Sequence, residues 1–280
     1  MNYKEYIPDK RLKDSIACYW IINFAKDENL YFEDIILPDG CYDFIVNLGS
    51  EYVREDLTTR ERTTVTDYAL IGQRKKAVTI YQSSETHIFA IRFKPHKINS
   101  LLKIAPSEII NEAVTSPKLK RQYVDPIRKI LEGNTAIINK IKLIDDLFIK
   151  KLTPESCTQL YVDHAISDII SKNGIMNLSR YCAEKQIHKS TLEKAFNKSV
   201  GISPKEFSSI IRFNYSCSLI HTGGIANLAG VAVESGYYDQ AHMCKEFRKF
   251  TDSSPKEFFT KGFILPQTGI AFQNALPNYF

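Results

Sequence analysis

The 280-residue chain is predicted to be an α+β protein of two parts. A barrel or sandwich of short β-strands comes first, followed by an all-α part built on two helix pairs. Three observations predict this. Short β-branched and aromatic runs separated by turn signals fill residues 16–93. Beyond residue 155 the apolar residues recur at helical spacings of three and four. Within that second half Ser-Pro-Lys-Glu-Phe occurs twice, at 203–207 and 254–258, the sign of an internal repeat.

The strands are taken in order. Residues 16–22 form a β-branched and aromatic run, and residues 31–37 another, closed by the turn signal Pro38-Asp39-Gly40. Residues 42–48 follow and end at Gly49-Ser50, and the polar stretch 51–64 reads as a hairpin edge or loop. Residues 68–72, 77–81 and 88–93 complete the set. Their aromatics (among them Tyr19, Trp20, Tyr42, Phe44, Phe89 and Phe93) form a core or line an apolar pocket. At Lys94-Pro95 the pattern turns helical, through Ile98, Leu101 and Leu102, with a second helix expected to start at Pro106 and carry Ile109, Ile110, Ala113 and Val114. Ile137, Ile141, Ile144 and Phe148 then share one helical face, which either packs on its own domain or forms a dimer seam. These readings divide the chain into an N-terminal domain over 1–154 (strands 1–94, helices 95–152), a helical domain over 158–262, and an uncharged tail over 263–280.

Composition narrows the class. At 44% hydrophobic and 25% charged residues the chain is an ordinary globular protein. A net charge of +5 permits nucleic acid as a partner without demanding it. No apolar run is long enough to span a membrane, and no apolar stretch backs the charged N-terminus as a secretory signal would require. The six cysteines are scattered, with no Cys-x-x-Cys, and read as reduced core thiols of a cytoplasmic protein.

The repeat carries the functional reading. One copy runs from Leu178 to Phe207 and the other from Leu228 to Phe258. Pro204 and Pro255 are offset by 51 (255 − 204), as are Phe196 and Phe247, whereas Leu178 and Leu228 are offset by 50 (228 − 178), so one residue is inserted between. Each copy is read as two short helices and a tight turn, over 178–200 and 228–250. Leu178, Cys182, Leu192 and Phe196 are expected to face inward in the first unit, and Leu228, Ala232, Val233, Met243 and Phe247 in the second. The small Ala183 and Ala232 would admit close helix approach, and Gly236 would take the turn. Short helix, turn and polar second helix is the helix-turn-helix design. The segment between the copies, 205–221, reads as one linker helix that holds the two units about one DNA turn apart, roughly 34 Å.

At these residues the sequence resembles the AraC/XylS family of bacterial transcription regulators. The resembling residues are Leu228-Ala229, Gly236-Tyr237-Tyr238-Asp239-Gln240-Ala241-His242-Met243, Phe247-Arg248-Lys249, and Ser254-Pro255 with Phe258, together with Leu192, Phe196, Gly201, Pro204 and Arg212. His188 stands where a capping Ser is usual, Ser216 replaces a common Ala, and Asp252-Ser253 replaces a Gly. Residues 37–44 and Phe93-Lys94-Pro95 resemble the N-terminal domain of some of these regulators. That implies a cupin-like β-barrel that senses a small-molecule effector or forms a homodimer, and RNA polymerase as a partner if the protein activates transcription.

With helix position, the resemblance assigns base contacts in double-stranded DNA to Ser190, Glu193, Lys194 and Asn197 in the first unit and Gln240, His242 and Lys245 in the second. Lys189, Lys198, Arg248 and Lys249 are cast as phosphate contacts. Two other classes compete. A protein-binding helical module would show no salt-dependent DNA affinity. A metal-dependent cupin-type enzyme would need clustered ligands, but His87 and His96 have no His-x-His spacing, Asp39 sits in a turn, and Asp43 and Asp67 have no evident partner. No phosphate-binding glycine loop is present, so neither catalysis, a cofactor nor a metal is expected.

Overall fold

A computed structural model describes residues 2–24, 32–82, 85–111, 113–115, 121–152 and 157–260. The uncharged tail lies outside them.

Among the described residues ten strands make two antiparallel sheets. The first, ordered β1-β2-β9-β4-β7-β10, comprises Asn2–Tyr6 (β1), Ile16–Phe24 (β2), Tyr42–Asn47 (β4), Tyr68–Ile71 (β7), Thr86–Phe93 (β9) and Ala113–Thr115 (β10). The second, ordered β3-β8-β5-β6, comprises Phe32–Ile36 (β3), Tyr52–Asp56 (β5), Arg62–Val65 (β6) and Val78–Gln82 (β8). The expected β domain is therefore present as two sheets rather than one closed barrel, the layered arrangement that cupins share with jelly rolls. The polar stretch after Gly49 is the β5–β6 hairpin, with Tyr52 opposite Val65.

Both faces of the larger sheet are covered, which is why its strands read as nearly unbroken apolar runs. Alternate residues point to opposite faces. Tyr19, Ile21, Tyr42, Phe44, Phe89, Ile91 and Phe93 pack under three helices, α1 (Ile98–Leu102), α2 (Arg121–Glu132) and α3 (Ile137–Ile149). Cys18, Trp20, Ile45, Ala69, Ile88 and Ala90 face Tyr52 and Val65 of the smaller sheet. The stripe Ile141, Ile144 and Phe148 is buried in the first of these layers, so that face of α3 packs on its own domain and is not a dimer seam. Asp145 on the same face is buried and accepts from Tyr19 Oη at 2.6 Å and from the Asp9 backbone N–H at 3.1 Å.

The helix expected from Pro106 is only a single 3₁₀ turn, Pro106–Ile109, after which the chain pairs as β10 with β7. The β-branched Val114 and Thr115 extend the sheet there.

The second half is helical: α4 (Cys157–Ser171), α5 (Leu178–Glu184), α6 (Lys189–Val200), α7 (Pro204–Gly223), α8 (Leu228–Glu234), α9 (Gln240–Thr251) and α10 (Pro255–Thr260). Their apolar faces form one core, which also takes in Leu37, Leu57 and Ala77 from the β domain. The turn after β3 is hydrogen-bonded into this core. Pro38 O accepts from Asn214 Nδ2 on α7 at 2.8 Å. From the β side Gln73 Nε2 donates to Gly40 O at 2.6 Å and an Arg74 amino group donates to Leu37 O at 3.1 Å. Gly40 sits at φ +82, and a Cβ there would stand 2.7 Å from the buried Phe207 ring. Gly40→Ala should therefore cost about 2 kcal/mol, from the left-handed backbone and the clash together, read as a lower urea midpoint at unchanged slope.

Candidate nucleic-acid interface

Each helix pair is built by short-range rules. Asn177 caps α5 by accepting from Arg180 N–H at 3.0 Å, and Asn227 caps α8 by accepting from Gly230 N–H at 2.9 Å. In α5 the buried pair is Tyr181 and Cys182, and in α8 it is Val231 and Ala232. Two expectations are corrected here. Val233 is 73% exposed, because the inward stripe of α8 runs Leu228, Val231, Ala232 at helical spacing and the next residue turns about 100° away. Ala183 is exposed for the same reason, following the inward Cys182.

The turns between helices also match. Gln186 stands at φ 55 in the first unit and Gly236 at φ 73 in the second, 50 residues apart (236 − 186). After them the second unit has its extra residue, Tyr238, which is 91% exposed. The caps then differ. His188 makes no side-chain capping bond, whereas Asp239 Oδ1 accepts from His242 N–H at 2.7 Å.

The second helices, α6 and α9, each have 12 residues. Leu192 and Phe196 are buried in α6, Met243 and Phe247 in α9. On the outer faces Lys189, Ser190, Lys194, Asn197 and Lys198 are exposed, as are Gln240, His242, Lys245, Arg248 and Lys249. Glu193 is half-buried, with Lys189 Nζ at 3.9 Å. His242 packs edge-on against the Tyr237 ring. All eleven residues assigned from sequence thus stand on two equivalent helices.

Both helices end in a left-handed residue, Gly201 at φ 83 and Asp252 at φ 56. A Ser–Glu capping box then starts the following helix in each unit. Glu206 accepts from Ser203 N–H at 2.9 Å, and Glu257 from Ser254 N–H at 2.7 Å. Burial works against the Glu206 charge, but the bonds from Lys75 and Ser203 outweigh it and hold the carboxyl down at about 2.

The linker helix α7 is tied to α9 by side chains that the sequence singled out only in part. Glu246 on α9 is buried and takes an Arg212 amino group at 2.9 Å and Ser209 Oγ at 2.6 Å. The Arg212 guanidinium lies over the Tyr237 ring, 4.5 Å from its centroid. Arg212 therefore joins the linker, the second turn and the second outer helix. Tyr42, Asn214 and Phe207 join the halves, a role that no signal in the sequence gives them.

Among the described residues no group of three or more His, Cys, Asp or Glu is placed to hold a metal. Buried His96 faces Asp163 on α4 at 2.9 Å. No described helix is long and apolar enough to cross a membrane.

Comparison with known proteins agrees with this geometry. Residues 181–261 match the family described as Helix-turn-helix domain, and residues 4–115 match the family described as Domain of unknown function (DUF6597). No curated protein matches the chain. Among solved structures, ToxT from Vibrio cholerae is 13% identical at a TM-score of 0.47, covering 93% of this chain and 98% of that one. The AraC-like transcriptional activator CuxR is 12% identical at a TM-score of 0.27, covering 80% of this chain and 87% of that one. The matched segment contains α6, α7, α8 and α9, so the chain carries a helix-turn-helix domain over residues 181–261.

Proposed function

We propose that the protein is a sequence-specific transcription regulator that lays α6 and α9 into two successive major grooves on one face of DNA. The observation that carries this is the pair of equivalent helices, each with its apolar side buried and a row of polar and basic side chains free in solvent. Ser190, Glu193, Lys194 and Asn197 would read bases in one box and Gln240, His242 and Lys245 in the other. Lys189, Lys198, Arg248 and Lys249 would hold phosphates. The β domain would control this reading, in response to a small-molecule effector or through self-association.

Selection of binding sites from a random duplex pool at two salt concentrations tests the reading. Enrichment of an asymmetric site with two boxes about one helical turn apart is expected. Lys198→Ala should then weaken binding to all sequences alike and lower the slope of log affinity against log salt by about one. Lys194→Ala should instead relax preference at one base pair, at a cost of about 1–3 kcal/mol. Absence of enrichment, with weak binding indifferent to salt, would overturn the proposal in favour of a protein-binding module.

A further inference from the structure

The last carbonyls of an α-helix have no partner within it. In both outer helices the β domain supplies one. Val200 O, at the end of α6, accepts from Tyr42 Oη at 2.8 Å. Phe250 O, at the end of α9, accepts from the Ala77 backbone N–H at 2.8 Å. The two donors belong to different sheets. Tyr42 opens β4 in the larger sheet, and Ala77 immediately precedes β8 in the smaller.

Each contact is reinforced. Tyr42 is fully buried, and burial pushes its phenol far up, so the hydroxyl keeps the proton that it donates. A Cβ on Gly201 would lie 3.0 Å from that hydroxyl and 3.2 Å from Pro106, so the end of α6 is seated closely on the β domain. At the other end the carboxylate of Asp252 meets Lys76 Nζ at 2.9 Å and Arg60 at 3.7 Å. The opposite ends of α6 and α9, where Ser190 and Gln240 stand, are exposed.

We infer that the β domain is a two-point clamp that sets the distance and tilt between the two reading helices, with Tyr42 as the positioning residue for the first and the Lys76–Asp252 pair for the second. This rests on α6 and α9 being the DNA readers. The clamp makes no DNA contact. It acts on which separation between boxes is accepted, and not on how well either box is read.

The test uses the full chain and the two-box duplex obtained by selection, with one or two base pairs inserted or deleted between the boxes, alongside duplexes with one box scrambled. Fluorescence anisotropy gives the affinity for each. The wild type should show a sharp optimum in spacing. Tyr42→Phe leaves Val200 O without its donor and should flatten that optimum by on the order of tenfold, with affinity for the single-box duplexes within about threefold of wild type. Lys76→Glu sets a carboxylate against Asp252 on a half-exposed site and should flatten the optimum too, which keeps the test open if Tyr42→Phe folds poorly. A wild-type spacing profile in both variants would overturn the clamp, as would a flat profile in the wild type. Failure of the wild type to prefer either box over scrambled DNA would instead overturn the reading beneath it.

Discussion

Arg92→Met should lower the melting temperature by roughly 10 °C, the equivalent of about 3 kcal/mol. Arg92 is buried in β9 and bonds two buried carboxylates, Asp43 through Nε at 3.0 Å and an amino group at 2.9 Å, and Asp39 at 3.0 Å. Trp20 Nε1 also donates to Asp43 at 3.1 Å. Removing the guanidinium strands Asp43 with one neutral donor, while Asp39 keeps Arg74 at 3.3 Å and a backbone N–H from Cys41. Stranding a buried charge, rather than losing a favourable pair, is what makes such substitutions costly. The pH dependence should separate the two states. Burial works to raise the Asp39 carboxyl, but Arg92 and Arg74 outweigh it and leave it below the usual carboxylate range. Asp39 therefore contributes wild-type stability that is present above its unfolded value of about 3.9 and is lost as pH falls through the lower folded value. In the variant Asp39 loses Arg92, the larger of the two cationic influences that hold its carboxyl down against burial, so that carboxyl moves back up. The gap between variant and wild type should then narrow as pH drops below about 5. Thermal scans across pH 3.5–7 check this, and a constant gap would show that the charges are not the cause.

Arg212→Met should have a comparable cost, about 3 kcal/mol, and a selective effect on DNA. It takes the guanidinium away from the buried Glu246 carboxylate, which keeps Ser209 Oγ, and takes the cation off the Tyr237 ring. Glu246 lies on the inner face of α9, one residue from Lys245 on the exposed face proposed to read DNA. Binding to a duplex with only the second unit's box should fall more than tenfold, a loss of about 1.4 kcal/mol or more, while the first unit's box loses much less. Glu246→Gln, which keeps the Ser209 contact without leaving a charge, should be milder in both assays. Equal losses on the two boxes would show that Arg212 holds the whole domain and not α9 in particular.

The repeat was legible because its determinants are local. Pro at the helix start, Ser and Glu three apart, and apolar residues at helical spacing act within one turn of chain, so α6, α7 and α9 stand where the pattern puts them. Where the reading went astray, a longer-range effect decided the outcome. The short strand at 113–115 owes its state to an open edge beside β7, and the helical pattern behind Pro106 stops at one 3₁₀ turn. Strand β1 has no alternation strong enough to announce itself, and only its pairing with β2 defines it. Pro38-Asp39-Gly40 was recognisable as a turn, but its seat against Asn214 and Phe207 depends on residues more than 160 positions away. The hydroxyl of Tyr42 could not be placed at all from sequence, since a tyrosine among core aromatics looks the same whether its oxygen meets water or a helix end.

The position of those helix ends has a mechanical consequence. A 12-residue helix is a lever of roughly 18 Å at 1.5 Å per residue. The β domain holds α6 and α9 at one extremity, and Ser190 and Gln240 ride near the other. A pivot of roughly 5° about the held end sweeps the far end through about 1.5 Å, as much as separates a sound hydrogen bond to a base edge from none. The sandwich sits at the fulcrum of two such levers, one on each sheet. A slip between its layers too small to alter the fold would be magnified at the tips, and the reach of the molecule along DNA would change before its shape visibly did.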